Sequence, residues 1–158
     1  MQDHDTTRRI IESALRETRY AVLATEAGGQ PHASLMAFAV QDHGRGLVFA
    51  TYRETRKHAN LCTNPRVAVF IDHHEATGVG EGRRQAVTAT GHALEVPSSR
   101  RAEIESIYLD RHPELADFVA ASGCALVRVA VDEYQVAGGI DDVGHCRAAD
   151  LGLPADPA

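Results

Sequence analysis

No apolar run in these 158 residues approaches the length that a membrane-crossing helix needs. Cysteine is scarce. Cys62, Cys124 and Cys146 are odd in number and form no Cys-x-x-Cys pair, which speaks against a disulfide framework or a zinc knuckle. Excess positive charge is also lacking. A formal net charge of −6 excludes a general nucleic-acid surface or an anionic-membrane surface as the chain's main business. The first nine residues are polar and carry no apolar signal core, so cytoplasmic residence is expected. Internal repeats and linker-like stretches are absent. No Ser/His/Asp or Cys/His set stands in a recognisable catalytic context. Nine histidines are present, but none has the usual metal-ligand spacing, so no metal site is expected.

What is present fits one ordinary globular domain: 44% apolar and 24% charged residues. Thr6 or Thr7 can cap a first helix whose stripe is Ile10, Ile11, Ala14 and Leu15. Tyr20 to Thr25 reads as a strand. Gly28-Gly29-Gln30-Pro31 turns it into a second strand from His32 to Val40, and Asp42 to Gly46 turns that into a third, Leu47 to Thr51. Three strands on tight turns predict an antiparallel meander. A helix near residues 54–62 follows, then strands at Arg66–Asp72 and Arg84–Val96. Helices opening at Pro97-Ser98 and at Pro113, with Ile104, Ile107 and Tyr108 on an inner face, lead to a last strand at Ala125–Val131. The domain is taken as residues 1–140, with 141–158 a polar tail that frays. The fold class expected is mainly β: a small closed antiparallel barrel with flanking helices, since closure leaves no long apolar edge.

The most informative stretch is Val48 to Asn60. A buried strand ends in Thr51, Tyr52 and Arg53, and Thr55, Arg56 and Lys57 open a short helix. Unpaired N–H groups and partial positive charge at a helix start, joined by two cations, make a seat for a phosphate dianion. A solvated basic turn is the alternative reading of the same residues. Gly78-Val-Gly80-Glu-Gly82 is read as a loop, because no strand-to-helix context surrounds it. His73-His74 and His145-Cys146 are the groups that would serve a haem, which needs an axial ligand in an apolar pocket.

The order strand, Gly-Gln-Pro turn, strand, strand ending in Thr, Thr55-Arg56-Lys57, then Asn64-Pro65-Arg66-Val67 resembles the pyridoxamine 5′-phosphate oxidase-like FMN-binding split barrels. The likeness runs from about Gln30 to Ile71, and more weakly over Gln85–Ala93 and Glu133–Gly139. It implies a six-stranded antiparallel split barrel of Greek-key type, usually a homodimer with flavin sites at the interface. It also implies that Ser34, Leu35, Met36 and Ala37 run alongside the flavin. Ala50 and Thr51 would contact it, Thr55, Arg56 and Lys57 would hold its phosphate, and Gln85 would reach its ring. The count from Gln85 to Gly91 differs by one from the family's, so Ala86 is the competing residue for that last role.

The chain departs from the oxidase itself where that enzyme holds its substrate. Gly138-Gly139 is followed by Ile140, Asp141 and Asp142, where the oxidase has an Arg and a His. Tyr108 and Arg111 resemble its substrate-phosphate clamp with spacing one residue short. The expectation is therefore an FMN-binding oxidoreductase acting on some other small molecule. A non-catalytic flavin or haem binder, or an F420-dependent reductase, is the alternative.

Overall fold

The computed structural model describes residues 2–75, 83–139 and 141–152. The glycine-rich stretch from Gly78 to Gly82 lies outside them. Helix α1 spans His4–Glu17, and strands β1 (Tyr20–Ala27), β2 (Gln30–Gln41) and β3 (Gly46–Tyr52) follow. Next come α2 (Arg56–Thr63), β4 (Arg66–His74) and β5 (Arg84–Glu95). The chain continues through α3 (Ser98–Arg111), a 3-10 turn, α4 (Ala116–Ala120), β6 (Cys124–Ala137) and β7 (Val143–Arg147).

All pairings are antiparallel, in the order β3-β2-β1-β4-β5-β6-β7, and β3 also pairs β6. The β3–β6 ladder, from Gly46 opposite Ala130 to Tyr52 opposite Cys124, closes six strands into a barrel. Within it, β3-β2-β1-β4 has the Greek-key order. The barrel interior is filled by alternate residues of each strand, among them Leu23, Phe38, Leu47, Phe49, Val69 and Val129. α1 lays Ile10, Ile11, Ala14 and Leu15 onto this core and closes one side. A second cluster lies outside the barrel, where Ala39, Val48 and Ala50 of β2 and β3 meet Ile104, Tyr108 and Val119 of α3 and α4.

Two local features set side-chain direction in the barrel. A bulge at Thr90/Gly91 shifts the β5–β6 pairing. A Cβ on Gly91 would sit 2.1 Å from the Ala130 carbonyl oxygen, so only glycine admits that approach. On β2 and β3 the strand period sends Phe38, Leu47 and Phe49 inward. Ala37, Ala39 and Ala50 turn outward toward α3 and α4.

The segment expected to fray contains β7. It pairs residue for residue with the last part of β6, Glu133 opposite Arg147 through Ala137 opposite Val143, and buries Cys146. β6 also runs six residues beyond its expected end at Val131. Asp132 and Glu133 face outward there and cost nothing in burial. α1 is capped by Asp3, not by Thr6 or Thr7. The Asp3 carboxylate accepts from Thr6 N at 2.9 Å and Thr6 Oγ1 at 2.7 Å. Thr7 is instead buried against the barrel.

Candidate functional site

The strand-to-helix junction builds one end of a cleft. β3 delivers Ala50 and Thr51, the chain turns at Tyr52, and Thr55 becomes the N-cap of α2. Thr55 Oγ1 donates to the Tyr52 carbonyl at 2.9 Å and accepts from His58 N at 3.4 Å. Thr51 and Thr55 share a hydrogen bond, Oγ1 to Oγ1, of 3.1 Å. The first intrahelical bond is Ala59 N to Thr55 O, so the Arg56 and Lys57 N–H groups precede it, as the first donors of any helix must. Asn60 anchors this helix to the barrel through a buried bond from Nδ2 to Thr25 Oγ1 at 3.0 Å.

The cations of this stretch divide into two kinds. Arg53 turns away and pairs with Glu95 through both Nε and Nη2, while its Nη1 donates to the Ser122 carbonyl at 3.3 Å. This pairing holds the Glu95 carboxyl below the usual carboxylate range, and His58 adds to the effect. Among the described residues no ion pair engages Arg56 or Lys57. Lys57 is half-buried and lines the cleft, whereas the Arg56 side chain is exposed outside it.

The cleft has a volume of about 430 Å³, inside the roughly 300–1,000 Å³ range of small-molecule sites. Leu35, Met36 and Ala37 of β2 and Ala50 and Thr51 of β3 line it on the barrel side. Tyr108, Leu115 and Phe118 form the helical wall, and Tyr20 and Leu35 stand at the rim. Tyr108 is buried and donates its hydroxyl to the Ala37 carbonyl at 3.3 Å. Burial pushes its phenol upward, so it stays protonated at any physiological pH. Tyr52 meets Phe118 edge-on with ring centroids 4.7 Å apart, which joins α4 to the end of β3.

Seven of the ten residues expected at a flavin therefore come together: Leu35, Met36, Ala37, Ala50, Thr51, Thr55 and Lys57. Three do not. Ser34 lies on the same strand face as Met36, one residue beyond the cleft's lining. Arg56 opens the same helical turn but points elsewhere. Gln85 is buried in a different cavity of about 240 Å³ beneath α1, opposite His73 across the β4–β5 ladder. There Gln85 Oε1 and His73 Nε2 have no hydrogen-bond partner among the described residues. Strand alternation sends Gln85 inward and Ala86 outward, so Ala86 occupies the outer-face position that the shifted count allows.

The residues that resemble a substrate-phosphate clamp separate in the same way. Tyr108 lines the cleft, but Arg111 is spent on structure. Its Nη1 donates to the Leu15 carbonyl at 2.9 Å, and Nη2 donates to those of Arg16 and Thr18. Its guanidinium carbon stands 5.0 Å from the centre of the Phe38 ring. It satisfies carbonyls at the C-terminal end of α1 and does not line the cleft. Next to it, His112 is fully buried with Nε2 2.7 Å from the Phe38 carbonyl. A carbonyl only accepts, so Nε2 carries the proton there.

The histidine pairs are dispersed. His73 is buried and His74 is exposed beside Asp72, while His145 is exposed on Glu133 and Cys146 is buried on the other face of β7. Adjacent strand residues point to opposite faces, so neither pair converges on one ligand. Of the helical wall, the sequence marks Tyr108 alone as a site residue, and it does not mark the rim tyrosine. Leu115 and Phe118 read as helical core, and Tyr20 gave no signal beyond being an aromatic at a strand start.

Comparison with known proteins places these features in context. Residues 8–136 match a family model described as pyridoxamine 5′-phosphate oxidase. No curated protein matches the chain. Among solved structures, a protein of unknown function from Agrobacterium tumefaciens superposes with a TM-score of 0.76 at 21% identity, over 92% of this chain and 60% of that one. A heme binding protein from Mycobacterium smegmatis gives 0.78 at 18% identity, over 94% and 60%. A FAD-binding protein from Mesorhizobium loti gives 0.66 at 20% identity, over 86% and 94%. The chain thus spans about 60% of the length of the first two. At these identities the likeness is one of fold.

Proposed function

Since the chain belongs to the pyridoxamine 5′-phosphate oxidase family, whose model covers residues 8–136, we propose that its cleft binds FMN and that the protein is a flavin-dependent oxidoreductase for a small molecule. The observation that carries this reading is the cradle at the start of α2. A hydroxyl pair, Thr51 and Thr55, faces the same cleft as Lys57, which forms no ion pair among the described residues, while Glu114, on the opposite wall, pairs with Arg19. The residues fit the cofactor's parts. A monophosphate carries close to two negative charges near neutral pH. One lysine, two hydroxyls and first-turn N–H groups can receive it, each charge-assisted bond contributing roughly 1.5–3 kcal/mol. Ala37 and Ala50 leave a low floor for a flat ring, and Leu35, Tyr108 and Phe118 supply apolar walls.

When bound, FMN would supply the hydride or electron chemistry. The protein's own part is to hold the phosphate at α2, to orient the ring against β2 and β3, and to keep water from one ring face. Two acidic groups of the cleft are already engaged: Tyr108 is held protonated by burial and donates to Ala37, and the Glu114 carboxylate pairs with Arg19. Pyridoxamine 5′-phosphate is a poor candidate substrate, because Arg111 is engaged by three backbone carbonyls and Asp142 lies in the Gln85 cavity, away from the cleft.

The proposal includes a second copy of the chain over the cleft mouth. Leu35, Val22 and Phe70 lie side by side across β2, β1 and β4 on the outer barrel face. Leu35 is 72% exposed and Phe70 41%. Leu35 belongs both to this apolar row and to the cleft rim, so a partner covering the row would complete the site.

The test is to purify the protein, denature it and weigh the released chromophore by mass spectrometry. FMN supports the reading. F420 would move the chemistry to a deazaflavin on the same cradle, and a haem or no chromophore that FMN can replace would refute it.

A further inference from the structure

One turn beyond the cradle, α2 carries a second chemical group. Cys62 Sγ lies 3.8 Å from His58 Nδ1, at i and i+4 on one helix face. His58 Nε2 lies 3.3 Å from Glu95 Oε2, at the end of β5. Glu95 in turn accepts from Arg53 Nε at 3.1 Å. The proton positions follow from the partners. Glu95 is held ionised by Arg53 and can only accept, so His58 Nε2 carries a hydrogen. That tautomer turns the bare Nδ1 lone pair toward the thiol. Nucleophile, base and orienting carboxylate thus stand in a line, the arrangement that activates cysteine in unrelated folds.

The surroundings support reactivity over structure. Cys62 is exposed, while Cys124 and Cys146 are buried and donate to neighbouring backbone carbonyls. The His58 side chain is only 12% exposed, so its orientation is fixed by packing. The three groups border a separate cleft of about 200 Å³ whose remaining walls are apolar, including Leu61, Pro65, Leu94 and Val127. Leu94 is 70% exposed at its edge. The titratable groups facing Cys62 are His58 on α2 and Glu95 on β5, with Arg53 behind Glu95; β6 contributes only Val127.

We propose that Cys62 is a hydroperoxide-reactive thiol, with His58 taking its proton, Glu95 positioning the imidazole, and the apolar cleft admitting a small organic hydroperoxide. The thiol proton passes to His58 Nδ1. The thiolate attacks the terminal oxygen of the hydroperoxide, so an S–O bond forms and the O–O bond breaks. Sulfur is oxidised by two electrons to sulfenic acid, and the peroxide is reduced to an alcohol whose oxygen takes the proton back from His58. The net change is thiol plus hydroperoxide to sulfenic acid plus alcohol. The step uses no flavin and stands apart from the function proposed above.

The test uses the full chain with tert-butyl hydroperoxide. Dimedone traps sulfenic acid, and peptide mass spectrometry locates it. Cys62 should react about tenfold or more faster than glutathione under the same conditions, with Cys124 and Cys146 unlabelled. His58→Asn should erase that advantage at unchanged thermal stability. Glu95→Gln should move the midpoint of the pH–rate profile for iodoacetamide alkylation of Cys62 upward. A wild-type rate equal to that of glutathione overturns the proposal, even where a variant fails to fold. A folded His58→Asn protein that reacts like wild type overturns it as well.

Discussion

Thr51 and Thr55 meet hydroxyl to hydroxyl at 3.1 Å across the point where β3 becomes α2. The contact ties a barrel strand to a helix start, and so fixes where the first N–H groups of α2 point. Thr55 is also the helix cap. Thr55→Ala should therefore lower global stability by about 1 kcal/mol, the usual worth of a threonine cap. It should also weaken FMN binding. Chemical denaturation and flavin titration read the two effects separately.

The two cations should not be equivalent. Lys57 lines the cleft and Arg56 does not. Lys57→Ala should weaken FMN binding by roughly 1.5–3 kcal/mol, the range for a charge-assisted contact. Arg56→Ala should cost clearly less. Fluorescence titration at fixed ionic strength checks the order, since salt screens the exposed charge first.

Arg111 is predicted to matter for folding and not for binding. Its guanidinium donates to Leu15, Arg16 and Thr18 at the end of α1 and stands over the Phe38 ring. Arg111→Met should destabilise the protein by about 1–3 kcal/mol, because the part-buried carbonyls of Leu15 and Thr18 lose their donor. FMN affinity of the folded fraction should remain near wild type.

Gln85 gives the opposite test. Among the described residues its buried Oε1 has no partner, and neither has His73 Nε2 opposite it. An orphaned buried acceptor costs free energy, so Gln85→Leu should leave stability unchanged or raise it. It should leave FMN affinity untouched, since the residue lies under α1 and not in the cleft. A loss of flavin on this substitution would show that Gln85 reaches the ring after all.

Acid should weaken the α2 region through Glu95. Its folded-state pKa is depressed, by Arg53 first and His58 after. A group of this kind contributes stability above its unfolded value, and the contribution fades as pH falls from about 4.5 through the folded value. Glu95→Gln should flatten this part of the acid limb of a stability–pH curve. The pair is partly exposed, so the change should be small.

Much of this molecule is legible in its residues, and the illegible parts share a cause. The α1 stripe, the β1–β2–β3 meander and the Thr55-Arg56-Lys57 turn are local patterns, and each stands where its periodicity or turn chemistry puts it. β7 is not such a pattern. Val143 to Arg147 holds small and polar residues, and becomes a strand because β6 extends far enough to offer it a ladder. The length of β6 is hidden in turn by Asp132 and Glu133, whose outward direction only the barrel defines. For the site, side-chain direction was the missing quantity. Whether Gln85 or Ala86 faces outward depends on the phase of β5, which alternates without a break from Gln85 to Ala93 and is set by the barrel around it. Whether Arg53 or Lys57 faces the cleft depends on Glu95, 42 residues from Arg53 along the chain.

The central claim is that the start of α2 is a phosphate seat. Its most direct measurement is the affinity of the flavin-free protein for FMN against riboflavin, which differ only in the phosphate. The account predicts that FMN binds at least about tenfold more tightly, and that Lys57→Ala combined with Thr55→Ala removes most of the difference. Equal affinity for the two flavins in the wild-type protein would contradict it.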